Sequence, residues 1–222
     1  MLEKRITIFA GHFGSGKSEV AINYALQMRK IHDNVAILDF DIVNPFFRTA
    51  DAKVNLEKHG VKVFLPKDAN TNVESSNFPP EVTAVFTDKS MYAIFDVGGD
   101  DLGAKAISRF KKKFLKEDYE FIIVINTRRI FTDTIEKIVE MCERIAESAG
   151  IMPTGLVNNS NLLQFTTKEI IENGQTMVHE AGLKLGIPVA FVSGIEPYIS
   201  EVKINDLNKL ALEKNIHLPW DK

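Results

Sequence analysis

Eight residues near the start of the chain, Gly11 to Ser18, have the spacing of a phosphate-binding loop. They read Gly-His-Phe-Gly-Ser-Gly-Lys-Ser, which fits the pattern G-x-x-x-x-G-K-[ST]. Glycine accepts backbone angles that other side chains forbid, so successive N–H groups of such a loop can surround the phosphates of a nucleotide. In this pattern Lys17 neutralises the β- and γ-phosphates, and the Ser18 hydroxyl binds Mg²⁺. The residues that we predict to bind nucleotide here are Gly11, His12, Phe13, Gly14, Ser15, Gly16, Lys17, Ser18 and Glu19.

Carboxylates follow two of the predicted strands. Asp39 and Asp41 come one residue apart at the end of the second strand, and Asp96 ends the fourth and begins the sequence D-x-x-G. Strand side chains alternate, so Asp39 and Asp41 project to the same side if the extended conformation continues. Two carboxylates beside a negatively charged triphosphate make chemical sense only if they bind Mg²⁺ or accept a proton from water. We expect Asp96 in the magnesium shell and the Gly99 amide near the γ-phosphate. Each carboxylate alone also fits a helix cap or a solvated turn.

Strand-like and helix-like segments alternate along the chain and position these residues. The strands are predicted at Arg5–Phe9, Val35–Asp39, Lys62–Leu65, Tyr92–Asp96, Phe121–Asn126, Met152–Asn158 and Val189–Ser193. The helices are predicted at Lys17–Ile31, Pro45–His59, Leu102–Lys116, Asp133–Ala149, Thr166–Leu185 and Ile204–Lys214. The alternation predicts the α/β class, with a three-layer, doubly wound and mainly parallel sheet in one domain over residues 1–222. Ligands of such sheets bind at the carboxyl ends of the strands, where the carboxylates lie.

Composition limits the classes of function. The chain has 222 residues, a formal net charge of -3 and one cysteine, Cys142. The charge argues against non-specific binding to nucleic acid or to an anionic membrane, and a lone cysteine forms no internal disulfide. The longest dense apolar run, Phe121 to Ile125, is too short to cross a membrane, and the first strand begins too early for a signal peptide. We therefore expect a soluble, cytoplasmic protein with no nucleic-acid partner and no stable membrane insertion.

Four segments, in this order, resemble the deviant-Walker P-loop ATPases, the group that contains MinD, ParA and the CobQ/CobB-type proteins. They are Gly11–Ser18, Leu38–Ile42, Asp96–Gly99 and Gly155–Asn158. The resemblance implies the P-loop NTPase fold and the cofactors ATP and Mg²⁺. It also implies a protein partner or a homodimer.

The same resemblance implies a role for individual residues. Lys17 and Ser18 would bind phosphate and Mg²⁺, and Asp39 and Asp96 would support the metal. Asp41 would position the attacking water, and Asn158 would contact adenine. From its place at a strand end, Asn158 equally fits an Asx turn.

The chain departs from this family at His12, where the relatives usually carry a second lysine that reaches the nucleotide of the partner subunit. This departure argues against hydrolysis that depends on a dimer. Arg48 or the pair Arg128 and Arg129 are alternative sources of positive charge.

Three functions fit the sequence. The first is a regulatory or maturation ATPase, in which slow hydrolysis switches the affinity for a partner. The second is an ATP-dependent small-molecule kinase or ligase, in which the loop Pro66–Pro80 with Asp100 and Asp101 grips an acceptor. The third is a nucleotide-binding subunit with little turnover. The sequence has no clear N-K-x-D motif, which is the motif that reads guanine.

Overall fold

A computed structural model of the protein describes residues 4–40, 52–65, 80–99, 101–204 and 207–216. Eight strands in these segments form one sheet in the order β3-β2-β4-β1-β5-β6-β7-β8, and every neighbouring pair is parallel. The strands are β1 (Ile6–Ala10), β2 (Val35–Phe40), β3 (Lys62–Phe64), β4 (Tyr92–Val97), β5 (Tyr119–Ile125), β6 (Gly155–Asn158), β7 (Val189–Ile195) and β8 (Asn208–Leu212). The predicted α/β class and parallel sheet are confirmed.

Helices cover both faces of the sheet, which makes three layers. They are α1 (Lys17–Arg29), α2 (Lys53–Lys58), α3 (Pro80–Thr87), α4 (Asp101–Ser108), α5 (Lys111–Phe114), α6 (Ile135–Ala149), α7 (Lys168–Leu185) and α8 (Tyr198–Glu201). Side chains of β1 alternate between two apolar cores, because successive strand residues point to opposite faces. Ile6 and Ile8 lie in the core beneath α3, α4, α6 and α7, whereas Phe9 lies in the core beneath α1 and α2.

Strand β1 lies in the middle of the sheet, between β4 and β5. The chain leaves β1, crosses to β2 and β3 on one side, returns to β4, and then continues to β5 on the other side. Open α/β sheets bind ligands at the carboxyl end of the strand where the order reverses in this way. The segment Gly11–Ser18 leaves β1 at that point.

The structure corrects several predicted elements. The predicted helix Ile204–Lys214 is wrong: residues 208–212 form strand β8, which pairs in parallel with β7. The predicted helix Leu102–Lys116 is interrupted after Ser108, and α3 was not predicted at all. Only α2 of the predicted helix Pro45–His59 lies in the part of the chain that the structure describes. In that part, none of the helices combines the length and the apolar character that a membrane crossing requires.

Candidate nucleotide-binding site

The loop Gly11–Ser18 joins the end of β1 to the start of α1. Gly16 is the N-cap of α1 with a left-handed backbone (φ 80°), a conformation that a residue with a Cβ rarely adopts. The Ser15 N–H donates to the carbonyl of His12 at 3.0 Å and closes the turn. Lys17 and Ser18, the first two residues of the helix, are both buried. The predicted phosphate ligands therefore surround a helix N-terminus, where unpaired N–H groups and the helix dipole favour an anion.

Gly99, two residues after the end of β4, contacts this loop. A Cβ added to Gly99 would lie 1.8 Å from the Gly11 carbonyl oxygen, so the two backbones meet where no side chain fits. The contact brings the D-x-x-G segment against the first residue of the phosphate loop. The role of the Gly99 amide as a γ-phosphate sensor stays a prediction.

Asp39 and Asp96 lie side by side on neighbouring strands. They are register partners in the β2–β4 pair, and both are buried. Adjacent strands are about 4.8 Å apart, and register partners project to the same face. Strand alternation assigns that face as the one covered by α1, because Ile37 and Ile94, two residues earlier in each strand, belong to the core beneath α1.

Two neighbouring buried carboxylates require a cation or a shared proton. The arrangement fits Mg²⁺, which prefers oxygen ligands and usually takes only one or two from carboxylates. Over the described segments, there is no cluster of three or more His, Cys, Asp or Glu side chains suited to a metal. A magnesium ion held by Asp39, Asp96 and Ser18 would thus depend on phosphate oxygens and water for its other ligands.

Asn159, which sequence reasoning did not assign, hydrogen-bonds to the loop. Its amide Nδ2 donates to the Ser15 carbonyl at 2.8 Å, and its Oδ1 accepts from the Ser193 hydroxyl of β7 at 2.9 Å. A Cβ on Gly16 would lie 2.4 Å from the same Nδ2. The run Asn158, Asn159, Ser160, Asn161 was the available signal, since several short polar side chains at a strand end bond readily to backbone.

Asn158, the predicted adenine contact, is fully buried and bonded to backbone. Its Nδ2 donates to the Ile171 carbonyl at 2.9 Å, and its Oδ1 accepts from the Ser160 N–H at 3.0 Å. This is the Asx-turn arrangement that the sequence also allowed. A base contact by Asn158 stays a prediction.

The Glu19 side chain binds the C-terminal part of the chain. Its carboxylate accepts from the backbone N–H of Asn215 at 2.8 Å and of Ile216 at 3.1 Å, and from the side-chain amides of Asn215 and Asn23. Burial raises the pKa of the Glu19 carboxyl above its ordinary value, although these hydrogen bonds oppose the shift. The side chain of Glu19 therefore has a structural role, and only its backbone remains for the predicted nucleotide contact.

The segment after β5 also contacts the loop. Arg129 donates from Nε to the Gly14 carbonyl at 3.0 Å. Phe131 stacks on the His12 ring with 4.4 Å between ring centroids. His12 thus packs against an aromatic ring. Phe13 and Phe131 remain exposed by 62% and 59%, so apolar surface lies beside the phosphate loop.

Several predicted residues lie outside the described residues. These are Asp41, Arg48, Asp100 and the loop 66–79. The water-positioning role of Asp41 and the acceptor role of the loop stay predictions.

Comparison with known protein families finds no match, and comparison with curated proteins finds none either. Solved structures do share the fold. The cell division protein FtsY of Thermotoga maritima is 20% identical and has a TM-score of 0.57 over 85% of this chain and 60% of that chain. The signal recognition particle 54 kDa protein of Aeropyrum pernix, solved in complex with GDP, is 15% identical and has a TM-score of 0.55 over 84% and 40%. The signal recognition particle receptor FtsY of Elizabethkingia anophelis is 15% identical, with a TM-score of 0.55 over 97% and 64%.

The chain covers less than two thirds of each of these proteins. At such low identity the likeness establishes the fold, which is that of the P-loop NTPases. The narrower resemblance to MinD, ParA and CobQ stays a prediction.

Proposed function

We propose that this protein binds a nucleoside triphosphate with Mg²⁺ in the loop Gly11–Ser18 and hydrolyses it slowly, as a switch that changes its affinity for a partner. One observation carries the proposal. Lys17 and Ser18 are buried at the N-terminus of α1, on the same face of the sheet as the register partners Asp39 and Asp96. A cation, a hydroxyl and two carboxylates on one face, beside a helix N-terminus, support a site for phosphate and Mg²⁺.

In the proposed reaction, the oxygen of a water molecule attacks the γ-phosphorus as the bond to the β–γ bridging oxygen breaks. Lys17 and the loop amides stabilise the negative charge that develops on these oxygens. Asp41 orients the water and accepts its proton. Bound Mg²⁺ would neutralise phosphate charge. Departure of the γ-phosphate changes the contacts of Gly99, which lies against Gly11, and so signals the change of state.

We propose ATP as the nucleotide, on the resemblance to the MinD and ParA group and on the missing N-K-x-D motif. The structural neighbour from Aeropyrum pernix was solved with GDP, so guanine nucleotides are the competing choice. The exposed Phe13 and Phe131 support a protein partner or a second copy of the chain at this edge of the sheet.

Calorimetric titration with Mg·ATP and Mg·GTP tests the binding step. We expect the wild type to bind ATP more tightly and Lys17→Ala to lose tight binding, because the phosphates lose their buried cation. Lys30→Ala is the matched control, since Lys30 is an exposed lysine at the other end of α1. Equal affinities of the two variants would refute the proposed site, and tighter GTP binding would refute the choice of ATP.

Phosphate release under saturating Mg·ATP tests the hydrolysis step. We expect Asp41→Ala to keep its affinity while turnover falls by about 10²-fold or more, the usual contribution of a general base. Unchanged turnover would remove Asp41 from the mechanism. ADP formation that requires a small-molecule acceptor would replace the switch with the kinase or ligase function.

A further inference from the structure

Arg129, in the segment after β5, makes a side-chain hydrogen bond to the phosphate loop. Its Nε donates to the Gly14 carbonyl at 3.0 Å. A Cβ on Gly14 would lie 3.1 Å from Nε and 3.4 Å from Cδ and Cζ of Arg129. The arginine therefore lies along the loop backbone at a residue that lacks a side chain, so the two surfaces fit closely.

The backbone of Arg129 is held in place by a polar turn. Its N–H donates to the Asn126 carbonyl at 3.1 Å, and its carbonyl accepts from the Thr132 N–H at 2.9 Å. The Thr132 hydroxyl donates to the same Asn126 carbonyl at 2.6 Å, and both Asn126 and Thr132 are buried. These bonds fix the backbone of Arg129, and the bond from Nε to Gly14 orients its exposed side chain.

A second side chain bonds to the residue that follows Gly14 in the loop. The next carbonyl, that of Ser15, accepts from Asn159 at 2.8 Å. Two successive carbonyls of the loop thus accept hydrogen bonds from side chains of other segments. In a trans peptide the carbonyl and the N–H point in opposite directions, so bonds to these carbonyls help keep the loop in its turned form.

We propose that Arg129 is a positioning residue for the phosphate loop: its hydrogen bond to Gly14 maintains the anion-binding form, and its charge raises the affinity for polyphosphate. The inference rests on the proposed function and names a residue on which that site depends. Arginine remains charged at every working pH, and its guanidinium has further N–H donors besides Nε. The chain thereby places a permanent cation beside a loop that carries His12 instead of a second lysine.

Arg128 provides a matched control on the same turn. Its backbone N–H donates to the Asn126 side chain at 3.0 Å, but its own side chain is exposed and makes no hydrogen bond or ion pair with the residues that the structure describes. Replacing Arg128 removes the same charge from the same segment without touching Gly14.

The test is calorimetric titration of the full chain with Mg·ATP and with inorganic pyrophosphate, which engages the phosphate loop without a base. We expect Arg129→Gln to lower the affinity for both ligands by about tenfold or more, because it loses a charged hydrogen bond. Arg129→Lys keeps the charge and should retain more affinity than Arg129→Gln. Arg128→Gln should stay within about twofold of the wild type.

Thermal unfolding without ligand separates positioning from general stability. We expect Arg129→Gln and Arg128→Gln to unfold at similar temperatures while their affinities differ. Equal affinities of these two variants would overturn the inference and leave the proposed function intact. A lower unfolding temperature of Arg129→Gln that accounts for its weaker binding would also overturn it. A wild type that binds neither ligand would refute the proposed function itself.

Discussion

Glu19 shows how a residue inside a ligand-binding motif can serve the structure instead. It follows Ser18 directly, yet its carboxylate binds the backbone of Asn215 and Ile216. The partial burial of this carboxylate costs free energy in the charged form. The hydrogen bonds recover part of that cost, and the pKa of Glu19 still remains above its ordinary value of 4.5.

The raised pKa of Glu19 predicts a pH effect on stability. A carboxyl with a higher pKa in the folded state adds stability that is fully present below the unfolded pKa and is lost as the pH rises through the folded pKa. We therefore expect the unfolding free energy of the wild type, minus that of Glu19→Gln, to fall as the pH rises from about 4.5. Urea unfolding at several pH values measures this difference, and Glu143→Gln corrects for the loss of one exposed charge. A difference that grows with pH would contradict the prediction.

The sequence predicted the phosphate loop because its chemistry is local. The glycines, Lys17 and Ser18 are consecutive or nearly so, and their spacing alone specifies the loop. Asn159 and Arg129 were harder to assign, since their partners Ser15 and Gly14 lie more than a hundred residues away in the chain. Only the parallel order of β1, β5 and β6 brings these residues together.

At the scale of elements, β8 shows why the C-terminal prediction failed. Leu207, Leu210 and Ala211 have helical spacing, but the buried residues of the strand are Leu210 and Leu212, at a spacing of two. A run this short supports either period, and pairing with β7 decides the outcome. The continuous apolar strands β1, β4 and β5 were predicted correctly because burial on both faces leaves a stronger signal.

Asn23 connects α1 to the residue that follows β8. Its side chain donates to the Glu213 carbonyl at 2.9 Å and accepts from the Glu213 N–H at 2.9 Å. Because Asn23 is buried, Asn23→Ala leaves both backbone groups without these partners, and we expect a loss of about 1–3 kcal/mol of unfolding free energy. Urea unfolding checks the value, with the exposed Asn208→Ala on β8 as the control. Equal stability of the two variants would mean that this connection contributes nothing measurable.

At the scale of the whole molecule, the two apolar cores lie on opposite faces of one sheet and share all of its central strands. An apolar core on each face of the same strands couples the helices of both layers. The phosphate loop leaves the central strand β1, so a ligand bound there contacts an element on which both cores depend. Nucleotide binding should therefore stabilise the chain as one unit.

We expect a single cooperative unfolding transition that moves to higher temperature with Mg·ATP. A ligand that binds only the folded state adds about 2.7 kcal/mol at a concentration one hundred times its Kd, because unfolding must first release it. Scanning calorimetry measures the shift over a range of ligand concentrations, and Lys17→Ala should show none. Two transitions, of which only one responds to the nucleotide, would contradict the single domain predicted for residues 1–222. A wild type whose transition does not move would count against nucleotide binding, whichever base is offered.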